Sequence, residues 1–381
     1  MMRKLTICLA AAVMSLAAVL SAMPALAADD GPRNVILIGW DGAQRAHVQE
    51  CLARGELPTL KKLSEQGALV DIDVVNGATD TKAGWSQILT GYNPEVTGVY
   101  SNGKYRDVPK GLSVFERLEE HFMADMFVTV AVIGKSAHCG EIRPPSKTRL
   151  DANTPVEADK PAAGKKAAKQ PGAGKQAAGR IVEENGVKYR VFDGSPYYTM
   201  HKSCDVWEYG LVQDEKVGSR ALELLDKYKD NQFFFFVHFA EVDHSGHKAG
   251  ENSKEYNDAL ISGDTWTGKI IDKLKQLGLY DKTTVYVTAD HGFNEGAKGH
   301  SYAPYVFLGT NDARIKRAGM RQDITPTVLE RFGLDLGKFE PKLDGESLAA
   351  PAVKPVLKAP ESRPAAPLGG LRPAGRKKKA A

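Results

Sequence analysis

The chain has 381 residues, 42% hydrophobic and 26% charged, which is the composition of a soluble globular protein with room for one large α/β domain or two ordinary ones. Its formal net charge of +4 is carried by residues 160–180, by residues 350–381 and by the first residues of the chain, so the remainder is acidic. An acidic core argues against nucleic-acid binding by the folded part of the protein.

The two ends of the chain differ in composition from the rest. Residues 1–27 combine Arg3 and Lys4 with an apolar run and the small-residue sequence Ala25-Leu26-Ala27, which predicts a secretory signal peptide and a periplasmic or secreted protein. An uncleaved membrane anchor is the disfavoured alternative, and no later stretch is apolar enough to span a bilayer. Residues 350–381 are rich in Pro, Ala and Lys and predict a disordered basic tail.

Export implies an oxidising compartment, in which cysteines can pair. The mature chain would keep Cys51, Cys139 and Cys204, enough for one disulfide and one free thiol. Cys139 with Cys204 is one candidate pairing, although connectivity is not readable from sequence. None of these residues has Cys-x-x-Cys spacing, which argues against a structural zinc site.

Strand-like and helix-like segments alternate along the chain, and residues 145–180, rich in Ala, Gly, Lys and Pro, interrupt them as a predicted flexible insertion. The alternation predicts an α/β fold: a three-layer sandwich in which a mostly parallel central sheet is covered on both faces. The predicted strands are 34–40, 68–75, 126–133, 232–239, 283–289 and 304–308; the predicted helices are 57–65, 81–91, 112–122, 217–229, 255–277 and one that begins at Asp323.

Polar side chains follow several of the predicted strands at the point where each strand ends. In an open α/β sheet, ligands lie beyond the carboxyl ends of the strands, so these side chains are expected to converge. Mixed carboxylate and imidazole ligation suits zinc, or manganese with more oxygen ligands. The candidate ligands are Asp41, Asp243, His247, Asp290, His291 and His300.

Two further segments could face a substrate at the same edge. Residues 76–91 resemble a loop that enters a helix, and a hydroxyl such as that of Thr81 would lie where free backbone N–H groups favour anions. The alternative is that Thr79, Asp80 and Thr81 are ordinary helix caps. Lys135 and His138 follow the strand 126–133; both could touch substrate, but a solvated loop is the favoured interpretation.

Six motifs, in order, resemble those of the alkaline phosphatase superfamily, and most closely its type I phosphodiesterase/nucleotide pyrophosphatase branch. They extend from residue 35 to residue 333, which is nearly all of the predicted folded chain. The motifs are VILIGWDGA with GELPTLKKLSEQGA, TKAGWSQILTGYNPEVTGVYSN, EVDHSGH, TADHGF, GH before the strand PYVFL, and DITPTVLERFG.

The resemblance implies that residues 28–349 form an alkaline-phosphatase-like catalytic domain with two divalent metal ions, zinc in the first instance and manganese or calcium as alternatives. Asp41, Asp290 and His291, with the Thr81 hydroxyl, would hold one metal. Asp243, His247 and His300 would hold the other. Thr81 falls at the position of the family's nucleophile, which implies hydrolysis of a small phosphate ester through a phospho-threonine intermediate, with the helix N–H groups after Thr81 stabilising the phosphoryl oxygens.

Some positions depart from the family pattern. Gly84 stands where nucleotide pyrophosphatases carry a phosphate-contacting Asn, so Asn102 or Lys82 would have to take that role. The spacing from His291 to His300 is also short for that branch. Alternatives left open are a catalytically inactive, metal-stabilised envelope-binding protein, a phosphoryl-headgroup transferase and a sulfatase-like hydrolase, although residues 81–85 lack the sulfatase pattern. Substrate identity, monoester or diester preference and oligomeric state also stay open.

Overall fold

The computed structural model describes residues 34–122, 126–150 and 179–353. The predicted signal peptide 1–27, the middle of the predicted insertion and nearly all of the predicted tail therefore lie outside the described residues.

An eight-stranded sheet forms the centre of the described chain, in the order β11-β2-β10-β9-β1-β8-β3-β7. All neighbours in it are parallel except β10, which runs antiparallel to both β2 and β9. Its strands are β1 Asn34–Trp40, β2 Ala68–Asp73, β3 Phe127–Ile133, β7 Val206–Tyr209, β8 Gln232–Phe239, β9 Thr283–Thr288, β10 Tyr305–Thr310 and β11 Gly319–Met320.

Six helices of the described chain agree with the predicted segments to within a few residues, and three short ones, α1, α4 and α7, are additional. The helices are α1 Arg45–Ala53, α2 Pro58–Gln66, α3 Thr81–Thr90, α4 Pro94–Thr97, α5 Val114–His121, α6 Asp214–Lys227, α7 Glu241–Ala249, α8 Lys254–Gln276 and α9 Ile324–Arg331. Two of them begin at serine caps that the sequence provides: the Ser113 and Ser253 hydroxyls accept from backbone N–H groups at the starts of α5 and α8.

The centre of the sheet shows why helices must cover both faces. Every residue of β1 is buried, and neighbouring side chains of a strand point to opposite faces. Trp40 faces α8, where its indole N–H donates to Thr267 at 3.3 Å. Gly39 faces α3, where an added Cβ would lie only 2.3 Å from Trp85. The predicted three-layer α/β sandwich with a mostly parallel sheet is confirmed.

The predicted flexible insertion is ordered at both of its ends. Strand β4, Ser146–Arg149, pairs antiparallel with β6, Val187–Phe192, and β6 pairs with β5, Arg180–Glu184. The turn between β5 and β6 is a tight hairpin, with positive φ at Asn185 and Gly186. The prediction of flexibility is therefore wrong for residues 146–149 and 180, because strand pairing satisfies their backbone.

The candidate disulfide is also wrong, since Cys51, Cys139 and Cys204 are all free thiols. The Cys204 thiol donates to the carbonyl of Thr129, in the first half of β3. Cys139, in contrast, follows the far end of the same strand, beyond Ile133. The length of the strand therefore separates the two sulfur atoms. Within the described ranges, no helix has the combination of length and apolar character needed to cross a bilayer.

Candidate metal centre and nucleophile

Four adjacent parallel strands, in the order β9-β1-β8-β3, end at the same edge of the sheet. Asp41 follows β1, Asp290 and His291 follow β9, and Lys135 lies two residues beyond β3. Asp243 lies in the first turn of α7, which begins two residues after β8. Because the ends are in register, residues more than two hundred positions apart along the chain become neighbours.

The first triad of possible metal ligands consists of Asp41, Asp290 and His291, all completely buried. The Nε2 atom of His291 lies 3.4 Å from Asp290 Oδ2 and 3.8 Å from Asp41 Oδ1. The other oxygen of Asp290 accepts from the backbone N–H of Gly42 at 3.1 Å, which orients the carboxylate. His291 Nδ1 lies 2.9 Å from the Gly292 carbonyl, an arrangement that places the proton on Nδ1 and the lone pair on Nε2.

The second triad consists of Asp243, His247 and His300. Asp243 Oδ1 lies 3.4 Å from His247 Nε2 and 3.8 Å from His300 Nε2, and the two Nε2 atoms are 3.1 Å apart. Ligand atoms placed tetrahedrally about zinc lie roughly 3.3–3.6 Å from one another. Backbone carbonyls of Thr79 and Lys298 accept from the Nδ1 atoms of His300 and His247, at 2.6 and 2.9 Å, so both Nε2 lone pairs face the triad.

The hydrogen bonding of the polar atoms in the two triads fits the presence of divalent cations. Four of them are buried atoms: Asp41 Oδ1, Asp243 Oδ1, Asp290 Oδ2 and His291 Nε2. Among the described residues, Asp41 Oδ1 has one close donor, the Lys135 ammonium at 2.7 Å, and the other three have no hydrogen-bond partner. Buried polar atoms are normally satisfied, and buried carboxylates at this density are costly unless a cation compensates them. All four atoms are acceptors or lone-pair donors, which is the donor set that zinc or manganese takes.

Lys135 lies at the junction of the two triads, where the sequence favoured a solvated loop. That expectation is wrong for Lys135: its side chain is 7% exposed, and its Nζ atom lies 2.7 Å from Asp41 Oδ1 and 2.9 Å from Asp243 Oδ2. The same Nζ donates to the Thr81 hydroxyl oxygen at 2.7 Å. Burial alone would lower the pKa of Lys135, but the carboxylates around it outweigh burial and raise that pKa above its ordinary value. His138, by contrast, is exposed as expected.

Asp41 is oriented by two side chains that sequence reasoning missed. Its Oδ2 accepts from the Trp85 indole at 3.1 Å and lies 2.8 Å from His238 Nε2, which leaves Oδ1 for the centre of the site. Burial would raise the pKa of Asp41, yet Lys135 and the His238 hydrogen bond hold it well below its usual range. His238 is the only ionisable side chain within the aromatic strand β8. A single histidine in such a strand could have been recognised from sequence as a candidate site residue.

Asp290 and His291 have pKa values shifted in the directions that burial dictates. Burial, together with the nearby charge of Asp41, raises the pKa of Asp290 well above its ordinary value. Burial and the neighbouring His300 lower the pKa of His291 to about 3. His291 is therefore a neutral imidazole at physiological pH, which is the form that binds metals.

Thr81 is the first residue of α3 and is 1% exposed. The expectation that helix N–H groups after Thr81 stabilise a bound anion is wrong, because those groups already have acceptors. The Lys82 N–H donates to Asn102 Oδ1 at 2.8 Å, and the Ala83 N–H donates to Asp80 Oδ1 at 3.3 Å. The bond from Lys82 orients the Asn102 amide, so its Nδ2 is left as a donor beside Thr81.

Gly84 cannot carry the substrate contact that its position in the family pattern suggested. A Cβ there would lie 2.6 Å from Asp290 Cβ and 2.8 Å from the Asp290 carbonyl oxygen. At this position α3 comes close to the loop after β9 that carries Asp290. Only glycine fits without displacing one of them.

Arg321 ties the segment before Thr81 to the loop after β9, and sequence reasoning missed it as well. It is completely buried. One terminal nitrogen donates to the carbonyls of Asp290 and Ala78, at 2.7 and 3.2 Å, and the other donates to the carbonyl of Asn76 at 3.1 Å. The planar guanidinium thus holds two chain segments at a fixed separation.

Comparison with known proteins identifies relatives that match parts of this chain in sequence. A 2,3-bisphosphoglycerate-independent phosphoglycerate mutase of Clostridium kluyveri is 28% identical over 148 residues, which cover 35% of this chain and 26% of that enzyme. The bis(5'-adenosyl)-triphosphatase ENPP4 of Pongo abelii is 36% identical over 63 residues, 16% of this chain and 14% of that protein. The chain thus matches about a quarter or less of the length of these two relatives.

Solved structures share the fold at low sequence identity. BT4656, solved with its substrate D-glucosamine-2-N,6-O-disulfate, superposes with a TM-score of 0.51 at 14% identity, covering 87% of this chain and 82% of that one. The 2-O glycosaminoglycan sulfatase BT1596 gives the same TM-score at 12% identity, covering 84% and 73%. The model of the type I phosphodiesterase/nucleotide pyrophosphatase family matches residues 35–331. The chain therefore belongs to that family.

Proposed function

We propose that the chain is a metal-dependent phosphoric ester hydrolase, a phosphodiesterase or a phosphomonoesterase, with Thr81 as its nucleophile. The observation that supports this most is the position of the Thr81 hydroxyl. It shares the Lys135 ammonium with Asp41 of the first triad and Asp243 of the second. A hydroxyl held between two sets of metal ligands is suited to attack on phosphorus.

Each triad would hold one divalent cation, zinc in the first instance. Asp41, Asp290 and His291 would hold one, with the Thr81 hydroxyl beside it, and Asp243, His247 and His300 would hold the other. When bound, such cations lower the pKa of a coordinated hydroxyl or water and neutralise negative charge on the phosphoryl group. The half-exposed side chain of His247 (47%) places the second triad at the solvent side, where a substrate would enter.

Lys135 would prepare Thr81 for reaction. A hydrogen bond from an ammonium to the hydroxyl oxygen stabilises the alkoxide form more than the neutral form, and an alkoxide is the nucleophile that a neutral threonine is not. The Lys135 side chain is almost fully buried, so its interaction with Thr81 is stronger than the same interaction would be in water. The bond to Lys135 also leaves Oγ with one orientation, which lowers the entropic cost of attack.

Asn102 would position the phosphoryl group. Its Oδ1 accepts from the Lys82 backbone N–H, and the backbone N–H of Asn102 donates to Asp80 Oδ2 at 2.7 Å. The backbone and the side chain of Asn102 are therefore both held. Its Nδ2 carries two hydrogens and lies 3.4 Å from His138 Nδ1, so one hydrogen can still be donated to a non-bridging phosphoryl oxygen. The structural basis is the same for monoesters and diesters, since both have such oxygens.

The proposed reaction consists of two successive displacements at phosphorus. The Thr81 hydroxyl loses its proton to water, its oxygen forms a bond to phosphorus, and the bond from phosphorus to the ester oxygen breaks. The departing alcohol takes a proton from water. A water molecule then attacks the phospho-threonine, releases phosphate or a phosphomonoester, and restores the Thr81 hydroxyl.

The test compares Thr81→Ala with Thr90→Ala, a matched change at the other end of the same helix, in zinc-loaded protein. We expect Thr81→Ala to abolish hydrolysis of aryl phosphate mono- and diesters and Thr90→Ala to retain it. Asp290→Asn should reduce both turnover and bound metal. Mass spectrometry of acid-quenched wild-type protein should find phosphate on the peptide that contains Thr81. Unchanged turnover in Thr81→Ala would contradict the proposal.

Metal analysis separates this proposal from a protein that binds metal without catalysis. Elemental analysis of the protein reconstituted with zinc, manganese or calcium measures which metal the protein retains and how many ions are bound per chain. Metal retention without turnover on phosphate mono- and diesters, an aryl sulfate and a phosphoryl acceptor alcohol would favour the non-catalytic binder.

We also propose that the protein is exported to the periplasm or secreted, from the pattern of residues 1–27. N-terminal sequencing of the mature protein tests this directly. A first residue at Ala28 or Asp29 would support cleavage by a signal peptidase, and an intact Met1 in the cytoplasmic fraction would contradict it.

A further inference from the structure

A second polar cluster lies beside the nucleophile and is not used by the proposed reaction. It consists of Lys82, Tyr105, Glu141, Arg143 and Phe192, and we refer to it as the Glu141 cluster. It is continuous with the site, because Lys82 follows Thr81 in the chain.

Asn102 extends the same connection. Its Oδ1 accepts from the Lys82 backbone, and its Nδ2 lies 3.4 Å from His138 Nδ1. Asn102 is thus bonded to the backbone of Lys82, the cluster residue that follows Thr81.

The cations of the Glu141 cluster are not matched by close carboxylates. Lys82 Nζ lies 3.7 Å from one oxygen of Glu141, and an Arg143 terminal nitrogen lies 4.0 Å from the other. Both separations are longer than a hydrogen bond. The nearby Asp80 carboxylate accepts from two backbone N–H groups.

Burial makes this arrangement unusual. The Lys82 side chain is only 3% exposed, and a buried ammonium without a hydrogen-bonded counter-ion is costly. Burial accordingly lowers the pKa of Lys82. The Arg143 Nε atom is buried with no hydrogen-bond partner among the described residues. The cluster therefore has unused hydrogen-bond donors and positive charge.

The aromatic rings fix where an anion could approach. Lys82 Nζ lies 4.3 Å from the centre of the Tyr105 ring, and the Arg143 guanidinium lies 3.9 Å from the centre of Phe192. The two rings contact each other edge to face, with centroids 6.4 Å apart. A guanidinium stacked on a ring keeps its edge available for bidentate bonding, and the Arg143 side chain, at 33% exposure, reaches solvent.

We propose that the Glu141 cluster is a subsite for a second phosphate, carried by the alcohol portion of the substrate, with Arg143 as the contacting group. This rests on the proposed function, since it assumes that a phosphate ester is cleaved at Thr81. The buried Lys82 supplies positive charge behind Arg143. Glu141 lies near both cations and so competes with the incoming phosphate for them.

The experiment uses a series of straight-chain diols that carry phosphate at both ends, from two to eight carbons, on zinc-loaded full-length protein. Each is compared with the diol of the same length that carries one phosphate. We expect kcat/KM to be at least tenfold higher for the bisphosphate at one or more lengths. Arg143→Met should bring this ratio close to one.

Glu141→Gln gives the decisive second variant, because it should raise the ratio above that of the wild type by removing the competing carboxylate. A gain of this kind does not arise from damage to the fold. Lys147→Met is the matched control: this lysine lies on the neighbouring strand β4, pairs with Glu184 and is 45% exposed, and its loss should leave the ratio unchanged.

Calorimetry on Thr81→Ala protein provides a readout that does not need turnover. Tighter binding of the bisphosphate than of the monophosphate, lost in Thr81→Ala/Arg143→Met, supports the subsite. A ratio near one at every length, with monophosphates still hydrolysed, overturns the subsite and leaves the proposed function intact. Absence of hydrolysis of every compound, with selective bisphosphate binding, overturns the proposed function and leaves the subsite intact. Equal binding of both compounds overturns the subsite.

Discussion

Replacement of Lys135 by methionine separates its structural role from its role beside Thr81. Methionine keeps the long unbranched shape and removes the ammonium, so packing changes little. In the wild type that ammonium lies 2.7 Å from Asp41 and 2.9 Å from Asp243. Removing one member of a buried ion pair usually costs about 3–5 kcal/mol, because the other charge is left uncompensated. We expect metal-free Lys135→Met to lose that much stability.

Metal should reverse most of this loss, since Asp41 and Asp243 are the carboxylates that the two cations would neutralise. Zinc should therefore stabilise Lys135→Met more than it stabilises the wild type. By linkage, each additional 1.4 kcal/mol corresponds to about tenfold tighter binding of metal. Activity should change in the opposite direction, because Thr81 loses its donor. Loss of one donor to a developing oxyanion typically lowers kcat by about 10²–10³.

Urea denaturation in chelator and in saturating zinc measures the two stabilities, and hydrolysis of an aryl phosphate measures kcat. Lys147→Met, which removes an exposed lysine, controls for the change of net charge. Two results would refute the reasoning: a stability loss of the same size with and without zinc, or weaker zinc binding in Lys135→Met than in the wild type.

Three further predictions concern residues that position the site or respond to pH. Arg321→Lys keeps the positive charge but loses the planar guanidinium that bonds the carbonyls of Asp290 and Asn76. The free energy of unfolding should fall by about 1.5–3 kcal/mol, the contribution of one charged hydrogen bond. In kinetic assays kcat should fall and KM should change little. Gly84→Ala should cost about 1–3 kcal/mol by overpacking, whereas Gly103→Ala, which meets no atom closer than 4.0 Å, should be neutral. Burial and a neighbouring glutamate raise the pKa of Asp214 to about 8, so its contribution to stability is present below about pH 4 and is lost as pH rises toward 8. Asp214→Asn should therefore flatten the fall in stability over that range, by at most about 1.4 kcal/mol per pH unit in denaturation experiments.

The site residues that could be predicted from sequence are those that directly follow strands of the sheet. Asp41 follows a continuous apolar segment and Asp290 follows one rich in β-branched residues. Parallel strands place such residues at one edge of the sheet whatever their order. Asp243 and His247 belong to helix α7 rather than to a loop. Their spacing of four residues puts both side chains on the same face of a helix, and this would have been a better reason for grouping them.

The residues that sequence reasoning missed depend on which segments are neighbours. Lys135 reaches Asp243 only because β3 pairs with β8, and local sequence does not state the order of strands. Trp85 reaches Asp41 because Gly39 leaves space for its ring over β1. Arg321 lies more than two hundred residues from the carbonyls of Asn76 and Ala78 that it binds. None of these contacts has a signature within one segment.

The balance of charge at the centre explains why an ammonium and divalent cations suit the same site. Three buried carboxylates, Asp41, Asp243 and Asp290, face one Lys135 ammonium. That single charge holds the pKa of Asp41 and Asp243 below the ordinary range but leaves the pKa of Asp290 raised. One fixed cation therefore compensates the three carboxylates in part, and the remaining negative charge would favour binding of divalent cations. Because Lys135 contacts a carboxylate from each triad, the charge state of either triad acts on the other through the group that also holds Thr81.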